Sequence, residues 1–173
     1  MTAPCFLGVD PGKTGALALY DPAAETLEIA DFPTLNVDGK TLIDETALAR
    51  LVDAWSEAVR EVWLELVNAM PSVGGVRRGM GAQSAFNFGR GYGLIRGICA
   101  ANFLPIMDVT PGQWKRALGV PGKVSGGDDA GRLRASQLMP RHAHLWPLKK
   151  HGGRADAALL ALYGARQHER AAA

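Results

Sequence analysis

Three acidic residues stand in segments that otherwise read as buried. Asp10 closes the apolar run PCFLGVD (4–10), Glu65 sits within VWLEL (62–66), and Asp156 lies near the start of RADAALLALYGARQ (154–167). An ionised carboxylate in a core-forming segment is costly unless it is paired, hydrogen-bonded or bound to a cation. If the strands carrying Asp10 and Glu65 pair in parallel, their carboxylates meet. Two carboxylates between apolar walls repel each other unless a divalent ion lies between them, and hard oxygen donors suit Mg²⁺ or Mn²⁺. Each acid also has a plainer reading. Asp10 can form a turn ahead of Pro11-Gly12, Glu65 can pair with an arginine, and Asp156 can favour a helix N-terminus through the dipole.

The stretch GVDPGKTG (8–15) looks like a phosphate-binding loop but is not spaced as one. Three residues separate Gly8 from Gly12-Lys13 where the P-loop needs four, so its backbone N–H groups would point elsewhere. The same segment resembles the first turn of actin-type and sugar-kinase phosphotransferases, which need two such domains to enclose ATP; 173 residues do not supply them. No nucleotide cofactor is expected. Lys13 in this loop reads as a candidate phosphate contact or, equally, as an ordinary solvated side chain.

The elements that must position these acids follow from periodicity. Residues 4–10, 15–22 and 26–33 are short β-type segments with tight punctuation, which predicts an antiparallel meander. Residues 36–40 (NVDGK) read as a loop. Residues 44–60 carry Leu48, Leu51, Val52, Trp55 and Val59 at helical spacing, with Thr41 or Asp44 as cap. A fourth strand follows at 62–66, then a glycine-rich loop at 71–81 bearing Arg77 and Arg78. A helix is expected over 82–101 despite its glycines, a fifth strand at 105–110, and helices at 111–119, about 130–138, and 154–167. Loops are expected at 121–129 and 140–153. The order predicts an α/β chain, with one mixed five-stranded β-sheet flanked by α-helices on both faces.

Length suits one domain spanning 1–173. No apolar run approaches the roughly 18–20 residues of a membrane helix, and the N-terminus lacks the pattern of a signal or transit peptide, so a cytoplasmic protein is expected. Cys5 and Cys99 sit in apolar surroundings without C-x-x-C spacing and read as buried thiols. Charge is unevenly divided. Residues 1–76 hold four Lys/Arg against twelve Asp/Glu, and residues 77–173 hold fifteen against five. A basic surface for a polyanion, nucleic acid first, is the expectation from that asymmetry.

Four blocks in order, FLGVDPGKTGALAL, WLELVNAMPSVGG with SAFNFGRGYGLIRG, VTPGQWKRALGVPGK, and KKHGGRADAALLALYGAR, together resemble the RuvC family of Holliday-junction endonucleases, in its shorter phage and organelle branch. The resemblance covers roughly residues 5–167. It implies an RNase H-like fold, a homodimer, branched DNA as partner and two Mg²⁺ ions, with Mn²⁺ as the alternative. Matched by position, Asp10, Glu65 and Asp156 are the implied metal ligands. A further acid of the bacterial pattern falls at Gly153, and one of the shorter relatives falls at His151, so His151 is carried as a fourth ligand. His151 and Asp156 are five residues apart and would converge only if Gly152-Gly153 breaks the helix; the alternative is a loop histidine touching phosphate. Lys115 and Lys123 match lysines near the scissile phosphate, Lys123 with a catalytic part. Lys13, Arg77, Arg78, Lys149 and Lys150 complete the expected DNA contacts. The family's aromatic wedge after the glutamate is absent in ELVNAM, leaving Phe86 or Phe88 to substitute. A catalytically weak branched-DNA-binding module of the same fold is the second reading.

Overall fold

The computed structural model describes residues 4–12, 14–66, 82–122 and 129–172. The chain runs β1 (Cys5–Asp10), β2 (Ala16–Asp21), β3 (Thr26–Asp31), β4 (Thr34–Val37), β5 (Lys40–Ile43), α1 (Glu45–Ser56), β6 (Val59–Glu65), α2 (Ala82–Ala101), β7 (Ile106–Val109), α3 (Pro111–Ala117), α4 (Ala130–Leu138) and α5 (Gly152–Ala172). The main sheet has five strands in the order β3-β2-β1-β6-β7. β1, β2 and β3 pair antiparallel, as the meander predicts, whereas β6 joins β1 and β7 joins β6 in parallel.

Side-chain alternation divides the sheet's two faces. Leu7, Val9, Leu17, Leu19, Val62 and Leu64 pack with Leu48 and Val52 of α1 and Ile95 and Cys99 of α2. Phe6, Ala16, Ala18 and Trp63 enter the opposite cluster with Trp114, Trp146, Leu159 and Leu160. Asp10 follows Phe6 and Gly8 at period two, and Glu65 follows Trp63. Both acids therefore belong to the face that α5 covers.

Close backbone approach fixes α5 against that face. A Cβ at Gly8 would overlap the Ala157 carbonyl oxygen and the Ala161 amide nitrogen, so only glycine allows β1 and α5 to touch at this point. Arg154 ties the beginning of α5 to the far edge of the sheet. Its Nε and Nη2 donate to the two oxygens of Asp31 at 2.7 and 2.5 Å, and its Nη1 donates to the Leu145 carbonyl at 3.2 Å.

Three expectations are corrected. Residues 36–40 are the tip of the β4–β5 hairpin, not a loop. Asp38 and Gly39 both take positive φ (49° and 76°), the backbone that closes a two-residue hairpin, and Asn36 Oδ1 accepts from the Gly39 N–H at 2.9 Å. The helix expected over 44–60 is capped by Asp44, whose Oδ1 accepts from the Ala47 N–H at 2.9 Å, but it ends at Ser56. Val59 instead opens β6 opposite Cys5, so sheet pairing claims residues whose apolar spacing also suited a helix. The loop expected over 140–153 contains two short 3₁₀ turns, Pro140–Leu145 and Lys149–His151, and α5 begins at Gly152 and continues to Ala172. No helix among the described residues is long and apolar enough to cross a membrane.

Candidate active site

Asp10 is the last residue of β1, and its strand pairs in parallel with β6 through Gly8 opposite Trp63 and Val9 opposite Leu64. The next position on each strand is Asp10 and Glu65. The turn after Asp10 leads directly into β2: Gly15 N–H donates to Gly12 O at 2.9 Å, and Gly12 N–H reaches Asp10 Oδ1 at 3.4 Å. Among the described residues of GVDPGKTG, β1 gives way to a turn that leads into β2, without the helix N-terminus that a P-loop places under a phosphate.

Asp156, in the second turn of α5, completes the group. Burial chiefly pushes the Asp10 carboxyl up to about 7, with the nearby negative charges of Glu65 and then Asp156 adding to it. Burial also raises Asp156, to about 6; Lys115 opposes this and Glu65 reinforces it. The three carboxylates therefore share one electrostatic environment. Glu65 is only 8% exposed, and its Oε1 accepts from the Trp114 indole N–H at 2.9 Å. Lys115 Nζ lies 3.9 Å from Asp156 Oδ2 and 4.9 Å from the centre of the Trp114 ring. Trp114 and Lys115 come from α3, whose start is set by Pro111 and by Gln113 Oε1, which accepts from the Thr110 N–H and hydroxyl at 2.9 and 2.8 Å.

Glycines shape the surroundings of the acids. A Cβ at Gly153 would overlap the Thr14 carbonyl oxygen and lie 3.1 Å from Asp10 Oδ2; one at Gly131 would overlap Asp156 Oδ1. Three hard anionic side chains in such a cradle fit a divalent cation in donor type and charge. Among the described residues, however, no three His, Cys, Asp or Glu side chains are gathered closely enough to make a ready-formed metal centre.

His151 ends the second 3₁₀ turn, and α5 begins directly after it at Gly152. Its ring turns back on that turn, where Nδ1 accepts from the Leu148 N–H at 3.3 Å. Desolvation first, and then the charges of Arg154 and Lys150, hold its pKa below the ordinary histidine value.

Lys149 and Lys150 are exposed on the turn that leads into α5 and make no ion pair among the described residues. Many other basic residues are already paired, Arg90 with Glu45, Arg96 with Asp108, Arg132 with Asp129, Arg141 with Glu25 and Arg154 with Asp31. The charge asymmetry of the sequence therefore overstates the basic surface left for a polyanion. Lys13, Arg77, Arg78 and Lys123, expected as DNA contacts, lie outside the described residues. Of the candidate aromatics, Phe86 is 68% exposed, whereas Phe88 stacks on Tyr92 at 6.3 Å and lines a cavity of about 280 Å³ with Pro11, Leu42 and Leu94.

Sequence reasoning missed Trp114. Its signal was chemical: an indole N–H in a buried position needs an acceptor, and the acidic positions of the core are the natural ones.

The architecture shares its fold with solved RuvC structures. A structure of Thermus thermophilus RuvC in complex with Holliday junction substrate superposes with a TM-score of 0.58 at 13% identity, covering 94% of this chain and 96% of that one. The chain has the RuvC fold. A second Thermus thermophilus RuvC structure gives 0.51 at 15% identity, covering 95% and 96%. At these identities the likeness carries the RNase H-like fold of RuvC, with its mixed five-stranded sheet and flanking helices, and nothing about this chain's substrate. No family model matches the sequence, and no curated protein matches it.

Proposed function

We propose that this chain is a divalent-metal-dependent endonuclease that cuts branched DNA, with four-way junctions as its preferred substrate, and that it acts as a homodimer in DNA recombination, repair or phage DNA processing. One observation carries the reading: on a RuvC-type sheet, Asp10, Glu65 and Asp156, drawn from β1, β6 and α5, stand near enough for their charges to act on one another, in buried surroundings that disfavour bare charges. These residues would hold Mg²⁺ or Mn²⁺. When bound, a pair of such ions lowers the pKa of an attacking water and stabilises the departing 3′ oxygen, giving 5′-phosphate and 3′-hydroxyl ends.

The chain's own residues have distinct parts. Asp10, whose carboxyl responds to the charges of both other acids, would be one of the residues that hold the metal. Lys115, beside Asp156, is positioned to offset negative charge before a cation arrives and to contact the phosphate afterwards. Lys149 and Lys150 would lie along the DNA backbone, and Phe86 is an exposed aromatic available to stack on an opened base step.

The second reading, a branched-DNA-binding module with weak or no catalysis, is favoured by the absence of a ready-formed metal centre among the described residues. A panel of four-way junctions, forks and linear duplexes, incubated with Mg²⁺, Mn²⁺ or chelator and resolved on denaturing and native gels, separates the two. Paired nicks in the junction arms that depend on metal support the nuclease. Retarded mobility without nicking under every metal condition would leave the binding module.

A further inference from the structure

Trp114 is fully buried, yet its indole nitrogen carries a proton that must find an acceptor. That acceptor is Glu65 Oε1, 2.9 Å away and 49 residues distant in sequence. We propose that Trp114 is a positioning residue for the metal-binding carboxylate: its indole holds Glu65 through one oxygen and leaves the other for a divalent cation. The inference rests on the nuclease reading above.

The choice of donor matters. An arginine at this place would bind both oxygens of Glu65 and neutralise the charge that a cation needs. An indole is a neutral, single donor. It fixes the rotamer of a flexible side chain and leaves the negative charge in place. The support behind it is rigid, since Trp114 belongs to a core cluster with Trp63, Val109 and Ala158, and α3 is anchored at Thr110 and Pro111. Consecutive residues of this one short helix therefore address two acids from two other elements, Trp114 taking Glu65 and Lys115 taking Asp156. Partners that orient a metal ligand from behind typically change metal affinity by about 10–100-fold when removed.

The chain contains four tryptophans, which makes the test internal. Trp146 Nε1 donates to Ser136 Oγ at 2.9 Å and Trp63 Nε1 donates to Glu61 Oε2 at 3.2 Å, so both are reference indoles bonded elsewhere. In ¹H–¹⁵N spectra of the full chain, Glu65→Gln is expected to move the Trp114 indole resonance and leave those of Trp63 and Trp146 in place. Substoichiometric Mn²⁺ is expected to broaden the Trp114 indole of the native protein before the reference indoles. Trp114→Phe, checked for folding by circular dichroism, is expected to bind Mn²⁺ about tenfold or more weakly by calorimetry. An unmoved Trp114 resonance in Glu65→Gln, or native Mn²⁺ affinity in a folded Trp114→Phe, overturns the proposal. If Trp114→Phe does not fold, the two measurements that keep Trp114 decide it. Failure of the native protein to bind Mn²⁺ at all overturns the metal-centre reading, and that failure is distinguishable because the Glu65→Gln shift involves no metal.

Discussion

Gly153 lies so close to Asp10 that a Cβ at position 153 would come within 3.1 Å of Asp10 Oδ2, while also overlapping the Thr14 carbonyl oxygen. The RuvC pattern suggests an acid at this place, but here the β1–β2 turn occupies the space that its side chain would need. Gly153→Asp is therefore expected to destabilise rather than to supply a ligand. Overpacking of this kind costs about 1–3 kcal/mol, which for a chain of this size lowers Tm by roughly 2–4 °C per kcal/mol. Thermal denaturation in chelator measures this, and an unchanged or raised Tm would contradict the crowding.

Asp10→Asn should abolish metal-dependent cleavage while leaving junction binding within about twofold, because the amide keeps the shape and removes the charge that holds a cation. Parallel gel-shift and cleavage assays check it. Cleavage at the native rate would remove Asp10 from the mechanism.

The raised carboxyls of Asp10 and Asp156 make a pH prediction whose sign is definite. In the unfolded chain both groups have ordinary aspartate pKa values; in the folded chain Asp10 titrates at about 7 and Asp156 at about 6. Their contribution to stability is fully present below the unfolded value and is lost as pH rises through 6 and 7. In chelator, Tm is expected to fall between pH 5 and pH 8, and Mg²⁺ is expected to raise it at pH 8 far more than at pH 5. Asp10→Asn should flatten both dependences. A Tm that rises steadily from pH 5 to pH 8 in chelator, with no response to Mg²⁺, would rule out this account.

Lys149→Ala combined with Lys150→Ala should weaken binding to junctions of different sequence by similar factors and reduce the magnitude of the logarithmic salt slope by about one to two. Affinities measured from 50 to 200 mM salt test this. A loss confined to one junction sequence would point to base contacts instead.

The acids were legible because a carboxylate beside Val, Leu and Trp conflicts with its surroundings, and parallel pairing of two strands was enough to bring Asp10 and Glu65 together. The final helix was legible for the same reason, its alanines and leucines demanding a buried face. The β4–β5 hairpin was not, although Asp38-Gly39 carries the dipeptide that favours such a turn; its short, exposed strands have no core-facing alternation to announce them. His151 was harder to place, because its position depends on where the last helix begins, and α5 starts at Gly152, directly after it. Charge along the chain could be read only coarsely, because ion pairs form between distant segments, such as Glu25 with Arg141, and sequence counts do not register them.

The contact at Gly8 has a bearing on how activity in such a chain could be adjusted. With no side chain separating β1 from α5, the distance from Asp10 to Asp156 is inherited from main-chain packing, so the gauge between the two acids is set by the smallest residues in the molecule. Enlarging Ala157 or Ala161 would lever the helix away and widen that gauge without altering any acid, turning a change in bulk into a change in chemistry.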